Sequence, residues 1–281
     1  MQNVTTPRKS PIDVASVILS ALGFGGFVYG LSNLGAASGG IGSVAGWLPL
    51  AVGAIALAVF ILRQLRLQRT DRALLDLRTF SSRTFTFAIV MMGLSMMALF
   101  GTIILLPIYT QTVLGLSSLQ AGLLLLPGGL IMGLLAPTVG RLYDRHGPTA
   151  LLITGSTIVS AAFWSMTLLG ADSSPWLVLA AHVTLSFGLA LLFTPLFTAG
   201  LAAVRPELYS HGSAMVGTVQ QLAGAVGTAL FVTVMASVAA TSLASGATDV
   251  AASATGIHAA FVCGAVISLF AIAAAFFIRR P

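Results

Sequence analysis

The sequence predicts an all-α, polytopic membrane protein of about eight transmembrane helices, and three observations carry that expectation. Of the 281 residues, 57% are hydrophobic and only 7% charged, with a mean hydropathy of +1.00, whereas a soluble domain carries about 25% charge. The apolar residues gather into eight runs, each near the ~20 residues that a helix needs to cross a ~30 Å hydrocarbon core. The thirteen Lys and Arg residues occupy only alternate connections between those runs and the two flanking ends, as expected when short cytoplasmic loops carry the positive charge.

The first two runs, 12–34 and 44–62, form a two-helix membrane unit spanning residues 1–62. Arg8 and Lys9 precede it, and the outward connection Gly35–Ala36–Ala37–Ser38–Gly39–Gly40 is small and flexible. Asp13 opens the first span, where a carboxylate reads as a helix N-cap rather than a proton carrier. Gly26 and Gly30 are a small-xxx-small pair that lets helices approach closely. Residues 63–83, RQLRLQRTDRALLDLRTFSSR, interleave Arg63, Arg66, Arg69, Arg72, Arg78 and Arg83 with five leucines. That pattern predicts a cytoplasmic basic amphipathic linker on the inner membrane surface; a plain positive-inside anchor is the other reading.

Residues 84–281 supply six spans, at 84–108, 119–139, 149–169, 176–197, 213–238 and 257–278. Arg141 and Arg145 follow the fourth span of the chain, Arg205 follows the sixth, and Arg279 and Arg280 come after the last. The intervening connections hold only Asp172 and Asp249 as charges. Both termini are therefore expected in the cytoplasm, with the chain crossing the lipid bilayer an even number of times.

A net charge of +6 and a pI near 10.5 raise the question of nucleic acid. The distribution excludes it, because the positive residues sit beside spans rather than on one basic face. Cys263 is the single cysteine, which rules out an internal disulfide and a cysteine-based metal site. His182 and His258 have no carboxylate or second histidine at metal-ligand spacing, so no metal and no cofactor are expected. Neither H-E-x-x-H nor G-x-S-x-G occurs, nor do paired intramembrane carboxylates, and no enzyme is expected.

The stretch Gly140–Arg141–Leu142–Tyr143–Asp144–Arg145–His146–Gly147–Pro148 reads as a tight cytoplasmic turn. Gly140 would let a helix end approach its neighbour, and Gly147 can adopt positive φ. Asp144 can meet Arg145 or the positive end of a neighbouring helix, a contact that can be made in one conformation and broken in another. Elsewhere the polar candidates are uncharged. Tyr109 and Gln111 close the third span, and Ser117 with Gln120 fits a capping box opening the fourth. Thr194 and Thr198 lie one helical turn apart near the inner end of the sixth span. Gln220 and Gln221 lie inside the seventh, where an unpaired amide costs several kcal/mol. They line a cavity or bind helix to helix, and the sequence leaves both open. Met91, Met92, Met96 and Met97 form a soft patch on the third span that reads as lipid-facing filler, with a flexible ligand surface as the other reading. Gly129 with Gly133, and Ala223 with Gly227, repeat the small-residue spacing.

Several of these stretches resemble a known family. The run G-x-L-x-D-R-x-G from Gly140 to Gly147 is similar to the signature loop of the major facilitator superfamily; the family places a basic residue next, where this chain has Pro148. LPIYTQTVLGLSSLQAGLLLLP from Leu106 to Pro127, HGSAMVGTVQQLAGAVGTAL from His211 to Leu230, and LLDLRTFSSRTF from Leu74 to Phe85 resemble the fourteen-helix drug:proton antiporters within it. The likeness runs over nearly the whole chain.

Those proteins are built as six helices, an extra pair, and six more. The resemblance thus implies an accessory pair followed by the C-terminal six-helix transporter half, with MQNVTTPRKSPID similar to the interior linker before the pair. It implies a C-terminal portion of a proton-coupled efflux transporter in the cell's inner membrane. Small amphipathic molecules and protons would be its cargo, and an N-terminal six-helix half its missing partner, holding the proton-coupling carboxylates. The alternative is a truncated membrane protein that inserts and transports nothing.

Overall fold

The computed structural model describes residues 13–35, 44–70 and 72–278. Eight helices account for most of them: α1 (Val14–Gly35), α2 (Val44–Leu67), α3 (Arg83–Ile108), α4 (Ser118–His146), α5 (Pro148–Met166), α6 (Pro175–Ala202), α7 (Tyr209–Ala244) and α8 (Asp249–Ala275). Each lies in a stretch long and apolar enough to cross a membrane. The expected residues 1–12, most of the Gly35–Gly40 connection, and Arg279 and Arg280 lie outside the described residues.

Local chemistry sets the helix ends. The Ser82 hydroxyl accepts the Phe85 N–H to open α3, and Ser117 with Gln120 forms the complete reciprocal capping box of α4. Gly147, at φ 76°, takes the left-handed conformation that a side chain would disfavour. It ends α4, and Pro148 starts α5 from the first helical position, where its missing N–H costs nothing. Thr248 caps α8 through the Ala251 N–H. That helix therefore begins eight residues before the apolar run at 257, because its first two turns are built from small and weakly polar residues.

Close backbone approach joins the first pair. A Cβ added at Gly30 would stand 2.5 Å from the Leu50 nitrogen, and one at Gly53 2.2 Å from the Phe27 nitrogen. The Gly26–Gly30 expectation is met, with Gly53 as the partner surface on α2. Ala223 and Gly227 are buried on α7, and a Cβ at Gly227 would fall 2.6 Å from the Met97 Cα of α3. Gly129 and Gly133 behave differently: nothing lies within 4 Å of a Cβ at either. Their neighbour Gly128 faces α6 instead, where a Cβ would strike His182 Nε2 at 2.3 Å. A step of one residue turns about 100° around a helix, so the Gly129–Gly133 stripe does not face a neighbour, and the contact falls on Gly128 alone of the three glycines.

Helix α3 is the central staff of the bundle, packed against α6, α7 and α8. For that reason Met91, Met92 and Met96 are buried in the core, and the lipid-facing reading of the methionine patch is corrected. By contrast α4 rests mainly on α6 and turns Leu119, Leu123, Leu126, Leu130 and Leu134 outward. The accessory pair meets the rest of the bundle through α1 against α7.

The basic stretch 63–83 is only partly helical among its described residues. α2 continues through Leu67, a single 3₁₀ turn covers Gln68–Thr70, and a second covers Leu77–Ser81. Gln64 breaks the pattern: its Oε1 accepts the N–H groups of both Leu74 and Leu75, at 2.7 and 3.2 Å. This side chain serves as the hydrogen-bond partner that an elongated helix would have supplied.

Contacts between helix ends put the described arginines at one end of the bundle. Arg63, ending α2, pairs with Asp13 before α1. The Thr149 hydroxyl at the start of α5 donates to the Ile278 carbonyl beyond α8, at 2.9 Å. Phe87 near the start of α3 stacks on Phe277, with ring centroids 4.7 Å apart. At the opposite end, the Tyr109 hydroxyl donates to the Gly170 carbonyl between α5 and α6.

Candidate functional site

The Asp144 region is the last turn of a long helix rather than a turn between helices. α4 runs without interruption to His146, so Gly140, Asp144 and Arg145 are helical and only Gly147 breaks the chain. A Cβ at Gly140 would meet nothing within 4 Å; the close approach expected there is absent, because α4 turns this face away from its neighbours. Asp144 and Arg145 are both exposed, and neither forms an ion pair among the described residues. Arg141 reaches Thr138, and His146 Nδ1 lies 3.3 Å from the Leu142 carbonyl. Chemically, this is a carboxylate and a guanidinium held beside a rigid left-handed joint, with their charges unspent.

The uncharged candidates are spread along the bundle. Tyr109 is buried, and its hydroxyl is committed to Gly170 at 2.6 Å. It opens a single π-helical turn, Tyr109–Val113, in which the Leu114 N–H reaches back to the Tyr109 carbonyl. Gln111 is exposed; its amide donates to the Pro107 carbonyl and its oxygen accepts from Ser118. These two residues therefore pin the α3–α4 connection. Thr194 is half-buried and Thr198 exposed, and the Thr198 hydroxyl returns to the Thr194 carbonyl. Gln220 is half-buried with its amide 3.9 Å from the Met92 sulfur, a weak acceptor, and Gln221 is exposed. The structure does not gather these six side chains into one pocket: Tyr109 and Gln111 belong to one end, Thr194 and Thr198 to the other.

Polar residues that the sequence read only as a cap and as loop charge, together with Gln64, which it did not mark, do converge. At the arginine end, Asp13 accepts two hydrogen bonds from Arg63, at 2.7 and 2.8 Å, and one from Ser16. Gln64 donates to Ser16 and accepts from Leu74 and Leu75, linking α1, α2 and the linker. The guanidinium of Arg63 and the Ser16 hydroxyl hold the Asp13 carboxyl well below its ordinary range. Asp76 is buried, which opposes its charge, but the Arg78 side chain and backbone N–H outweigh that and keep it below its ordinary range too. His211 Nδ1, from the first turn of α7, lies within reach of both the Asp76 N–H and the Leu74 carbonyl. One signal was available for this cluster. Asp13 opens the first span and Arg63 closes the second, so an antiparallel pair puts them side by side. Nothing in the sequence marked Gln64.

Inside the bundle, His182 Nε2 lies 3.1 Å from the Leu125 carbonyl of α4, to which it donates. Its Nδ1 is buried without a partner. Among the described residues no group of three or more His, Cys, Asp or Glu side chains converges in a way that holds a metal.

Comparison with known proteins gives this geometry its context. The model of the Major Facilitator Superfamily matches residues 11–228. The lincomycin resistance protein LmrB of Listeria monocytogenes is 38% identical over 285 aligned residues, covering 100% of this chain and 59% of that protein. The MFS-type transporter YcnB of Bacillus subtilis is 40% identical, covering 100% of this chain and 58% of its own length. The chain thus spans somewhat more than half of these relatives. Among solved structures, a bacterial homologue of the human lysosomal transporter Spinster matches with a TM-score of 0.57 and 18% identity, over 92% of this chain and 66% of that one. At that identity the likeness is one of fold. With its eight membrane-length helices, the chain belongs to the Major Facilitator Superfamily.

Proposed function

We propose that this chain is the C-terminal portion of an exporter that moves small amphipathic molecules out of the cell in exchange for protons. One observation carries the reading: all of the chain aligns at 38% identity with a lincomycin resistance protein, yet it accounts for only 59% of that protein. Residues 1–62 then serve as an accessory pair, 63–83 as a cytoplasmic linker and 84–281 as one six-helix half. A further six helices complete the transporter. The arginine asymmetry supports an inner-membrane location with both termini in the cytoplasm.

Proton coupling needs a group that holds and releases a proton along the substrate path, for which intramembrane carboxylates are the usual choice. The six described acidic residues lie in connections or at helix ends, and Asp71 falls outside the apolar runs of the sequence, so the coupling acid belongs to the completing helices. Asp144 and Arg145, with Gly140 and Gly147 framing them, act as a latch whose partner is the completing unit. Tyr109, Gln111, Thr194, Thr198, Gln220 and Gln221 are the polar groups available to face the shared cavity. Alternating access is a rocking of two bundles against each other.

The test is reconstitution in proteoliposomes with an imposed pH gradient. The chain alone moves neither a fluorescent amphipathic cation nor protons above empty vesicles, and co-reconstitution with a six-helix half from a relative restores both. Saturable proton-linked transport by the chain alone overturns the division of labour. Failure of every matching half to restore transport points to a non-transporting membrane protein.

A further inference from the structure

We infer that the groove where α3 begins and α8 ends binds the headgroup region of an anionic phospholipid. The cavity there measures about 740 Å³ and is walled by Phe80, Phe87, Phe276 and Phe277, with Arg83 and Thr84 at its polar side. Its volume falls within the ~300–1,000 Å³ of small-molecule sites.

Position comes first. The span of α3 starts at Arg83 and that of α8 ends at Ala275, so the groove straddles the boundary between hydrocarbon and water. Phe276 and Phe277 are exposed by 57% and 59%, and Phe87 lies flat on Phe277 with an interplanar angle of 13°. Together they offer a smooth apolar floor at the depth where acyl chains meet glycerol.

Charge comes second. Arg63 and Arg78 are spent on Asp13 and Asp76. Arg83 is exposed and makes no ion pair or hydrogen bond among the described residues, and no acidic residue lines the groove. Thr86 is occupied with the Phe80 and Ser82 carbonyls, which leaves Arg83 and the Thr84 hydroxyl as the donors among the described lining residues. A guanidinium presents a planar fork that matches two phosphate oxygens. A zwitterionic headgroup would bring its own cation beside Arg83 with no carboxylate to receive it. A free phosphate would satisfy Arg83 and leave the four aromatic walls unused. An anionic phospholipid satisfies both parts of the site.

The experiment uses the purified full chain in nonionic detergent, with lipid retention read by native mass spectrometry. Phosphatidylglycerol, phosphatidylcholine and inorganic phosphate are the probes. Wild type retains phosphatidylglycerol in preference to phosphatidylcholine, and inorganic phosphate does not displace it. Arg83→Gln weakens retention about fivefold, the size of one basic contact at an anionic surface, while Arg83→Lys keeps most of it. Phe277→Ala weakens it as well, and Arg141→Gln, at another exposed arginine of the same end, leaves it unchanged. Circular dichroism confirms that each variant is folded. Equal retention by wild type and Arg83→Gln overturns the inference, as does equal retention of phosphatidylcholine. Displacement by phosphate would make the site a free-anion site, and an equal loss in Arg141→Gln would reduce it to bulk surface charge. The readout is binding, so it is independent of whether the chain transports.

Discussion

Asp76 shows how much one buried carboxylate organises at the arginine end. It caps the 3₁₀ turn Leu77–Ser81 through the Arg78 N–H, pairs with the Arg78 guanidinium, and offers its own N–H to His211 of α7. Its carboxyl is held below the ordinary range in the folded chain. The sign follows from linkage: a depressed folded pKa adds stability that is complete above the unfolded value near 3.9, and that is lost as pH falls through the folded value. Thermal stability should therefore be flat from pH 7 to about 5 and decline below about 4. Asp76→Asn, which keeps the shape and a capping oxygen, should lower stability at pH 7 and flatten that acid decline. Thermal unfolding of both proteins across the range checks it, and an equal acid slope in the variant would remove Asp76 from the account. This residue was visible in the sequence only as part of a basic stretch. Its role depends on His211, 135 positions away, and no local pattern reports a contact of that separation. Tyr109 is similar. Its place at a helix end was legible, while the Gly170 carbonyl that claims its hydroxyl was not.

At the scale of helices, the sequence identified all eight spans because hydropathy integrates over about twenty residues and tolerates local error. What it misplaced were phases and ends. The small-residue spacing recurs at Gly26–Gly30 and at Gly129–Gly133, yet only the first pair touches another helix. Spacing fixes a stripe on a helix without saying which stripe faces a neighbour. The methionines of α3 were misread for the same reason, since an all-apolar helix carries no contrast between core and lipid. The ends of α4 and α8 extend past their apolar runs because capping and small residues, rather than hydropathy, decide where a helix stops. Two glycines turn this difference into a measurement. Gly53→Ala drives a methyl into the backbone of Phe27, with no flexible side chain to yield. It should cost about 1–3 kcal/mol, the usual price of overpacking, and loosen α1 from α2. Gly133→Ala fills open space on an exposed face of α4, so it should be neutral or gain up to about 1 kcal/mol from helix propensity. Denaturation in mixed micelles compares the two. Equal effects would mean that the close approach of α1 and α2 does not govern their packing.

For the molecule as a whole, orientation follows from where charge is collected. The nine described arginines lie in the connections α2–α3, α4–α5 and α6–α7 or in the helix turns beside them. Links among Asp13 and Arg63, Asp76 and His211, Thr149 and Ile278, and Phe87 and Phe277 hold these ends together. The only charges at the α5–α6 and α7–α8 end are Asp172 in the first connection and Asp249 at the first position of α8. Short loops rich in Lys and Arg are retained on the cytoplasmic side, and the positive-inside bias sets the overall orientation. One inverted orientation would have to translocate all nine, so the asymmetry acts as a single cooperative constraint rather than nine independent preferences. Single cysteines can read the outcome once the native Cys263, half-buried within α8, is replaced by alanine. Ser173→Cys and Ser245→Cys should react with a membrane-impermeant maleimide in intact cells. Thr70→Cys and His146→Cys should react only after the cells are permeabilised. Labelling of Thr70→Cys from outside would reverse the map and place the proposed Asp144 latch and the Arg83 groove on the outer face. Labelling of all four positions from outside would show that the chain inserts in two orientations, and a chain of mixed orientation cannot serve as one half of a vectorial exporter.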